Sequence, residues 1–215
     1  MTELHLEGRT MPTRRTQQQR RAETEQRVLA ATQRIILEQG PAAVTLAAVG
    51  ETAGYSRGIV NHAFGSRQAL IRTLAELLQE RLAVEVAGGG GDGLHRVLRW
   101  VEAYLSALQY RADDARAFLM LWLQATTSEP ELNPIFVDRD TAFRDALAAD
   151  ITAGLADCSI YPSGTPTAMA VAIISQLRGT GIQLLLAHDP TPLDTVHQAV
   201  ANSITRALEA TTPPH

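Results

Sequence analysis

Helical periodicity is the sequence feature that most constrains the fold of this chain. Apolar side chains recur at three- and four-residue steps along most of its length, as in Val28, Ala31 and Ile35. This is the spacing of one face of an α-helix. No segment of the sequence shows the strict apolar and polar alternation of a half-buried strand. The sequence therefore predicts an all-α protein of about nine helices, without a detectable internal repeat.

Capping and helix-breaking residues divide this pattern into segments. Gly40 followed by Pro41 ends the first helix, and the hydroxyls of Thr45, Ser56 and Ser66 can cap the next three. The predicted helices cover residues 22–39, 46–53, 57–64, 67–86, 94–110, 113–127, 133–157, 166–187 and 193–209.

The second and third predicted helices are short and almost adjacent in the chain. Gly54 can adopt the left-handed conformation that ends a helix, and Ser56 can start another helix two residues later. Two short helices joined by a glycine-containing turn are typical of a helix-turn-helix motif. In that motif the second helix enters the DNA major groove, and its N-terminal side chains meet the base edges.

The formal net charge of −4 conceals a strong polarity along the chain. Residues 1–72 contain ten arginines and six acidic residues, whereas residues 73–215 contain nine arginines and seventeen acidic residues. A basic first third is typical of contact with an anion such as DNA. We expect a mobile basic arm over residues 1–21, a helix-turn-helix DNA-binding domain over residues 22–72, and a regulatory domain in the remainder.

Residues 24–72 resemble the N-terminal domain of the TetR family of one-component transcriptional regulators. The resemblance rests on Glu38-Gln39-Gly40, Thr45, Gly54-Tyr55-Ser56-Arg57-Gly58 and Phe64-Gly65-Ser66-Arg67-Gln68-Ala69-Leu70. It departs where the family usually has Tyr and His, because this chain has Asn61 and Ala63. The resemblance implies a bacterial, cytoplasmic, homodimeric regulator that binds operator DNA and a small-molecule effector.

The predicted reading helix carries the candidate base contacts. The Arg57 fork can bond guanine O6 and N7, and Asn61, one turn later, can read adenine N6 and N7. Gly58 lets the backbone approach DNA closely, and Ile59 could touch a thymine methyl group. Candidates for phosphate contact are Thr45, Ser56, His62 and Arg67. The resemblance supports Thr45 and Arg67 in this role.

Each of these contacts has a structural alternative. The hydroxyls of Thr45 and Ser56 could serve only as helix caps. His62 could be a solvated surface residue, and Ile59 could have a purely structural role. The basic arm could reach phosphates or a minor groove, or it could be an inert tail.

Aromatic residues concentrate in residues 94–143, ahead of two apolar C-terminal helices. The resemblance implies an effector pocket in this region, although aromatic side chains at helical spacing are more often core. The candidate pocket residues are Trp100, Tyr104, Met120, Trp122, Phe136, Phe143 and Gln176.

The last two predicted helices have the composition of an interface. The first is apolar on almost every side, which requires burial on more than one face, and the second has a single apolar stripe. In the resembled family two such helices from each subunit form a four-helix dimer interface; monomer core is the alternative. The candidate interface residues are Ile174, Leu177, Ile182, Leu185, Val196, Val200 and Ile204.

Other classes of function have little support in the sequence. The six histidines show no metal-ligand spacing, no nucleophile motif is present, and no segment is apolar enough to span a bilayer. We therefore expect no catalysis, no metal, no cofactor and no membrane partner. The sequence predicts a transcriptional regulator, most simply a ligand-released repressor acting as a homodimer on a palindromic operator. Two alternatives stay open: a TetR-like activator, and an all-α small-molecule binding protein or enzyme that has lost specific DNA binding.

Overall fold

The computed structural model describes residues 16–86, 90–127, 130–161, 164–186 and 193–209. Within these ranges the chain forms nine α-helices and two short 3₁₀ turns, and no strand. The helices are α1 (Gln17–Gln39), α2 (Leu46–Ala53), α3 (Arg57–Phe64), α4 (Arg67–Val86), α5 (Gly93–Tyr110), α6 (Ala112–Thr127), α7 (Asn133–Ala156), α8 (Pro166–Leu186) and α9 (Leu193–Glu209). The predicted all-α fold is confirmed, and the predicted helix boundaries agree with these to within a residue or so, except at the start of α1.

The start of α1 corrects the expected extent of the arm. Residues 1–15 lie outside the described part of the chain, but Gln17 is already helical, five residues earlier than the sequence predicted. Thr16 caps this helix: its hydroxyl accepts from the Gln19 backbone N–H at 3.2 Å, and the Gln19 side chain accepts from the Thr16 N–H at 2.9 Å. This reciprocal capping box satisfies two backbone donors, and it stabilises a polar first turn that has no apolar face to bury.

Two clusters of buried side chains hold the helices together. The first cluster takes residues from α1 to α4, and also from α6 and the start of α7. The second cluster takes residues from α5, α7, α8 and α9. The short helices that carry the helix-turn-helix therefore share one core with α6. Apolar packing is continuous across residue 72 and does not mark a boundary there. The predicted division into two domains at this residue therefore stays a prediction.

Within the first cluster, α1 packs against α2, and α4 packs against the reading helix α3. Leu70, Ile71 and Leu74 are at most 1% exposed and lie in one cluster with Val49 of α2 and Val60 of α3. Burying an aliphatic side chain of this size contributes about 1.5–3 kcal/mol. Packing against α4 therefore helps to hold α3 in its orientation.

No helix in the described part of the chain is both long enough and apolar enough to cross a lipid bilayer.

Candidate nucleic-acid interface and ligand cavity

The turn between α2 and α3 is tightly closed. Gly54 has φ +76°, in the left-handed region that ends α2, and the Tyr55 N–H donates to the Gly50 carbonyl oxygen at 2.8 Å. The Ser56 hydroxyl then accepts from the Ile59 N–H at 3.3 Å, which caps α3. These bonds set the direction in which α3 leaves the turn.

Gly50 permits this close approach, and the sequence reasoning missed it. A Cβ atom at position 50 would lie 2.8 Å from the Tyr55 carbonyl oxygen and 3.2 Å from the Arg57 nitrogen. Both neighbours are backbone atoms, so they could not move aside without opening the turn. A glycine in the interior of a short helix is unfavourable by about 1 kcal/mol relative to alanine, and that anomaly was the available signal.

The base-reading candidates lie on one open face of α3. Arg57, Gly58, Asn61 and Ile59 are all exposed, and Ile59 is an exposed aliphatic side chain at 44%. Val60 between them is fully buried and fixes the opposite face to the core. The structure thus brings the four candidates together within the first five residues of one helix. Their contacts with bases remain predictions.

Gly58 differs from Gly50 in its surroundings. A Cβ atom at position 58 would meet only the Ser56 hydroxyl oxygen, at an ordinary 3.7 Å. Packing inside the protein therefore does not require glycine at this position. An external surface that approaches the α3 backbone closely is a remaining reason for it.

The phosphate candidates flank this face. The Thr45 hydroxyl accepts from the Ala48 N–H at 3.1 Å, so both Thr45 and Ser56 act as helix caps. A hydroxyl that accepts one bond keeps its own hydrogen for donation, so a capping role is compatible with phosphate contact. His62 is exposed in the last turn of α3.

Arg67 has a structural role that the sequence did not reveal. Its Nε donates to the Val44 carbonyl oxygen at 2.7 Å, and its Nη2 donates to the Pro41 carbonyl oxygen at 2.9 Å. These bonds fasten the loop between α1 and α2 to the start of α4. Its phosphate contact remains a prediction.

A cavity of about 480 Å³ lies between α4, α5, α6, α7 and α8. Its walls are mostly apolar, with charged side chains contributed chiefly by α4 and α7. The lining residues are Arg72, Glu76, Leu78, Gln79, Glu80, Trp100, Tyr104, Ala107, Arg111, Asp114, Ala115, Phe118, Leu119, Ile135, Asp138, Arg139, Ala142, Phe143, Ala146 and Arg178. A partly apolar cavity with a few polar groups is the usual form of a small-molecule site.

The structure separates the predicted pocket residues into two groups. Trp100, Tyr104 and Phe143 line the cavity, and the Trp100 and Phe143 rings lie 5.1 Å apart. The remaining four do not line it, which corrects the sequence prediction. Met120, Trp122 and Phe136 pack with the first core cluster instead, because their helical register points them to that side. Gln176 is half-buried on α8 and is not among the lining residues.

Tyr104 supplies a neutral hydrogen-bond donor to the cavity. Burial raises the pKa of Tyr104 to about 12, although the nearby Arg178 charge acts to lower it. The phenol is therefore protonated near neutral pH and can donate to an acceptor on a ligand.

Arg178 joins three helices at one side of the cavity. Its Nη1 donates to Asp140 at 2.8 Å, its Nη2 also bonds Asp140, and its guanidinium lies 4.6 Å from the centre of the Trp122 ring. The Trp122 indole N–H donates to the same carboxylate at 3.0 Å. An internal cation thus covers the Trp122 face, which explains why this tryptophan is a structural residue.

The predicted dimer residues include several that belong to the core of the protomer. Ile174, Leu177, Val200 and Ile204 are at most 8% exposed and pack in the second cluster. These four side chains leave at most 8% of their surface for a second copy, so they are corrected to protomer core. Ile182 and Val196 are half-buried, and the side chain of Leu185 lies outside the described part of the chain.

Comparison with known proteins decides the family. Residues 28–74 match the family model "Bacterial regulatory proteins, tetR family". Residues 94–209, more than half of the chain, match the model "BetI-type transcriptional repressor, C-terminal". The chain belongs to the TetR family. It is a helix-turn-helix transcriptional regulator of that family, with a BetI-type C-terminal part.

A curated relative supports the TetR-family assignment. The HTH-type transcriptional regulator BetI of Rhizobium meliloti is 32% identical over 99 residues, which are 45% of this chain and 49% of that protein. The chain spans about half the length of this relative in the alignment.

Solved structures of transcriptional regulators have the same fold. A TetR regulator from Chloroflexus aurantiacus gives a TM-score of 0.74 at 19% identity, covering 89% of this chain and 99% of its own. NalD of Pseudomonas aeruginosa, the secondary repressor of the MexAB-OprM multidrug efflux pump, gives 0.72 at 19%, covering 90% and 100%. A regulator from Saccharomonospora viridis in complex with choline gives 0.72 at 20%, covering 88% and 100%.

Among the described residues, no group of three or more His, Cys, Asp or Glu side chains is arranged to hold a metal ion.

Proposed function

We propose that this TetR-family regulator is a homodimeric repressor that binds a palindromic operator and releases it when a small molecule enters the cavity. The observation that carries this proposal is that α4 contacts both the reading helix and the cavity. Leu70 and Leu74 of α4 lie in the core beneath α3, while Glu76 and Gln79, on the next turn, line the cavity. A ligand that displaces α4 therefore displaces the reading helix.

DNA recognition is assigned to the open face of α3. Arg57 and Asn61 stand where the N-terminal half of a recognition helix meets base edges. Each bidentate contact of this kind discriminates between bases by about 1–3 kcal/mol. Thr45, Ser56, His62 and Arg67 are proposed to hold the phosphate backbone on either side. The proposal places the protein in the bacterial cytoplasm, where operator DNA is.

The second copy is proposed to dock on the outer face of α8, together with α9. Ala168, Val171, Ala172, Ser175 and Gly179 are exposed on α8 and recur at three- and four-residue steps. Small side chains on one helical face allow a second helix to approach closely. A two-fold dimer would present two α3 helices to half-sites about 34–36 Å apart, or a multiple of that distance.

Release of the operator by a ligand requires that the dimer has two arrangements of its α3 helices, and that the ligand binds one arrangement more tightly than the other. A ligand with equal affinity for both arrangements would shift nothing. We infer that ligand binding rotates α4 and moves the two reading helices out of register with the operator.

A quaternary ammonium compound is the first effector to test. The Saccharomonospora viridis neighbour is a complex with choline, and Trp100, Tyr104, Phe118 and Phe143 give this cavity aromatic walls. Aromatic faces bind quaternary ammonium groups through cation–π attraction. Four carboxylates and four arginines line the cavity, so formal charge does not favour a cation and the aromatic walls carry the argument.

Two other functions are distinguished from this one by experiment: a binding protein that does not read DNA, and an activator. Asn61 and Ala63 replace the residues that the family usually has, which favours testing a binding protein that no longer reads DNA. An activator would bind operator DNA as a repressor does but would raise transcription. The proposal assigns no catalytic step and no cofactor.

The test is the fluorescence anisotropy of an operator duplex, obtained by in vitro selection with the full chain and titrated with choline. The proposal expects a salt-sensitive complex that choline dissociates. Unchanged operator affinity at saturating choline, with binding shown by calorimetry, would overturn ligand release. Absence of choline binding would overturn only the choice of effector.

A further inference from the structure

One carboxylate in the structure connects the cavity with both the first helix and α4. Asp114, in the first turn of α6, lines the cavity. Its Oδ1 accepts a hydrogen bond from Gln33 Nε2 of α1 at 2.7 Å. Its Oδ2 accepts from Arg81 Nη1 of α4 at 2.5 Å. We propose that Asp114 is a positioning residue. It sets the orientation of the reading head, which is helices α1 to α3, relative to the helices that line the cavity.

Asp114, Gln33 and Arg81 form a hydrogen-bonded fork, and these three side chains come from distant parts of the chain. Gln33 lies 81 residues before Asp114, and Arg81 lies 33 residues before it. The Asp114 side chain is only 18% exposed, so water screens its bond to Gln33 less than a surface bond, whereas Arg81 is 44% exposed and its bond is more open to water. The ionised carboxylate makes both hydrogen bonds charge-assisted, which is the stronger class.

The other contacts between α1 and α6 are of a different kind. Ile35 and Ile36 of α1 share an apolar cluster with Ala117 and Leu121 of α6. Apolar burial is not directional, so such a surface tolerates small rotations at little cost. Two hydrogen bonds to one carboxylate have fixed directions. Asp114 therefore selects one orientation from those that the apolar contact allows.

The position of Asp114 in the cavity wall makes this orientation responsive to a ligand. A ligand that shifts α6 or α4 changes the distances from Asp114 to Gln33 and to Arg81 together. A ligand with a cationic or N–H group also competes directly for the carboxylate. In either case, part of the effect on the reading head passes through Asp114, in addition to the direct packing of α4 against α3. The regulatory role of Asp114 rests on the proposed function. Its effect on the orientation of α1 and α4 is tested without DNA.

The neighbouring Asp113 provides a matched control. Asp113 lies in the same first turn of α6 and carries the same charge, but its side chain is exposed. Asp113→Asn and Asp114→Asn therefore change the net charge and the helix N-terminus equally. Only the second variant removes a charge from the fork.

The first measurement is hydrogen exchange of the full chain by mass spectrometry. We expect faster exchange in peptides from α1 and the end of α4 for Asp114→Asn than for Asp113→Asn. Gln33→Ala should produce the same pattern from the other side of the fork. Equal exchange in the two aspartate variants would overturn the proposal, whether or not the protein binds DNA.

The second measurement uses a selected operator duplex. Asp114→Asn is expected to change operator affinity by about fivefold or more at a temperature where both variants are folded, and Asp113→Asn is not. The reversed pair Asp114→Arg with Arg81→Asp should restore part of the affinity, because the Gln33 amide can turn its oxygen toward the new arginine. Failure of the wild-type chain to bind DNA would count against the proposed function. Wild-type binding with no difference between the aspartate variants would count against the fork.

Discussion

Arg67 and Val44 are joined by a hydrogen bond of 2.7 Å from the arginine Nε to the valine carbonyl oxygen. The same guanidinium also donates to the Pro41 carbonyl oxygen. The side chain that the sequence assigned to DNA phosphate thus closes the loop between α1 and α2. A structural role and a phosphate role make separable predictions for this residue.

Substitution of Arg67 by Met should lower the free energy of unfolding. The variant leaves the Val44 and Pro41 carbonyls without their arginine donor, at a cost of about 1–3 kcal/mol. Urea denaturation measures this, with Arg34→Met as the control, because Arg34 is exposed and its contact with Glu38 is a long 3.9 Å. If Arg67 also contacts phosphate, the slope of log affinity against log salt for operator binding should become shallower by about one unit for each subunit, or about two units for the proposed dimer. An unchanged free energy of unfolding would contradict the structural role.

The same substitution at two glycines of the helix-turn-helix should have opposite effects on stability. Gly50→Ala places a Cβ 2.8 Å from the Tyr55 carbonyl oxygen and should destabilise the fold by about 1–3 kcal/mol. Gly58→Ala meets only the Ser56 hydroxyl oxygen, at an ordinary 3.7 Å, and should be neutral or stabilising by up to about 1 kcal/mol, because alanine favours a helix.

Thermal unfolding of the two variants provides the measurement. Gly58→Ala should nevertheless weaken operator binding, because the new methyl group projects from the exposed face of α3. Equal stability of the two variants would show that the turn does not depend on the contact between Gly50 and Tyr55.

The raised pKa of Tyr104 predicts that the free energy of unfolding falls in alkaline solution. Its pKa is raised from 10.0 to about 12 by burial, so between these values the folded chain keeps a proton that the unfolded chain has released. The stability from this group is therefore complete below pH 10 and is lost as the pH rises toward 12.

The chain contains no lysine, so no ammonium group obscures this window. Denaturation at several pH values should show a smaller loss for Tyr104→Phe than for the wild type. Tyr110→Phe is the control, because Tyr110 is 75% exposed. A loss of the same size in Tyr104→Phe and the wild type would contradict the assignment.

Val171→Arg should convert the proposed dimer to a monomer. Val171 is 45% exposed at the centre of the outer α8 face, and a charge there would be buried without a partner in a symmetric contact. Val137→Arg is the matched control, because Val137 is 50% exposed on α7. Analytical ultracentrifugation distinguishes the two. A Val171→Arg variant that sediments like the wild-type chain would exclude this face.

The sequence predicted the helices more reliably than it predicted their faces. The hydroxyl caps Thr45 and Ser56 and the glycine stop at Gly54 are local signals, so the ends of α2 and α3 followed from short-range chemistry. The first turn of α1 was missed because its polar residues show no apolar periodicity. The Thr16 and Gln19 capping box was the signal that could have found it.

The lining of the cavity depended on information that one sequence does not contain. Glu76, Asp114 and Arg139 are charged residues on helices, which a sequence pattern assigns to solvent. Their position follows from partners far along the chain, such as Gln33 for Asp114. Similarly, α8 is apolar on almost every side, so only its packing shows that Leu177 faces the protomer core while Val171 faces outward.

The central claim is that the exposed face of α3 reads operator DNA, and in vitro selection with the full chain tests it most directly. The account predicts enrichment of a palindrome that binds the wild-type chain in a salt-sensitive complex. Arg57→Ala should lose about 1–3 kcal/mol of discrimination at one base pair in each half-site. Failure to enrich any sequence, or an Arg57→Ala variant with unchanged affinity and preference, would contradict the account.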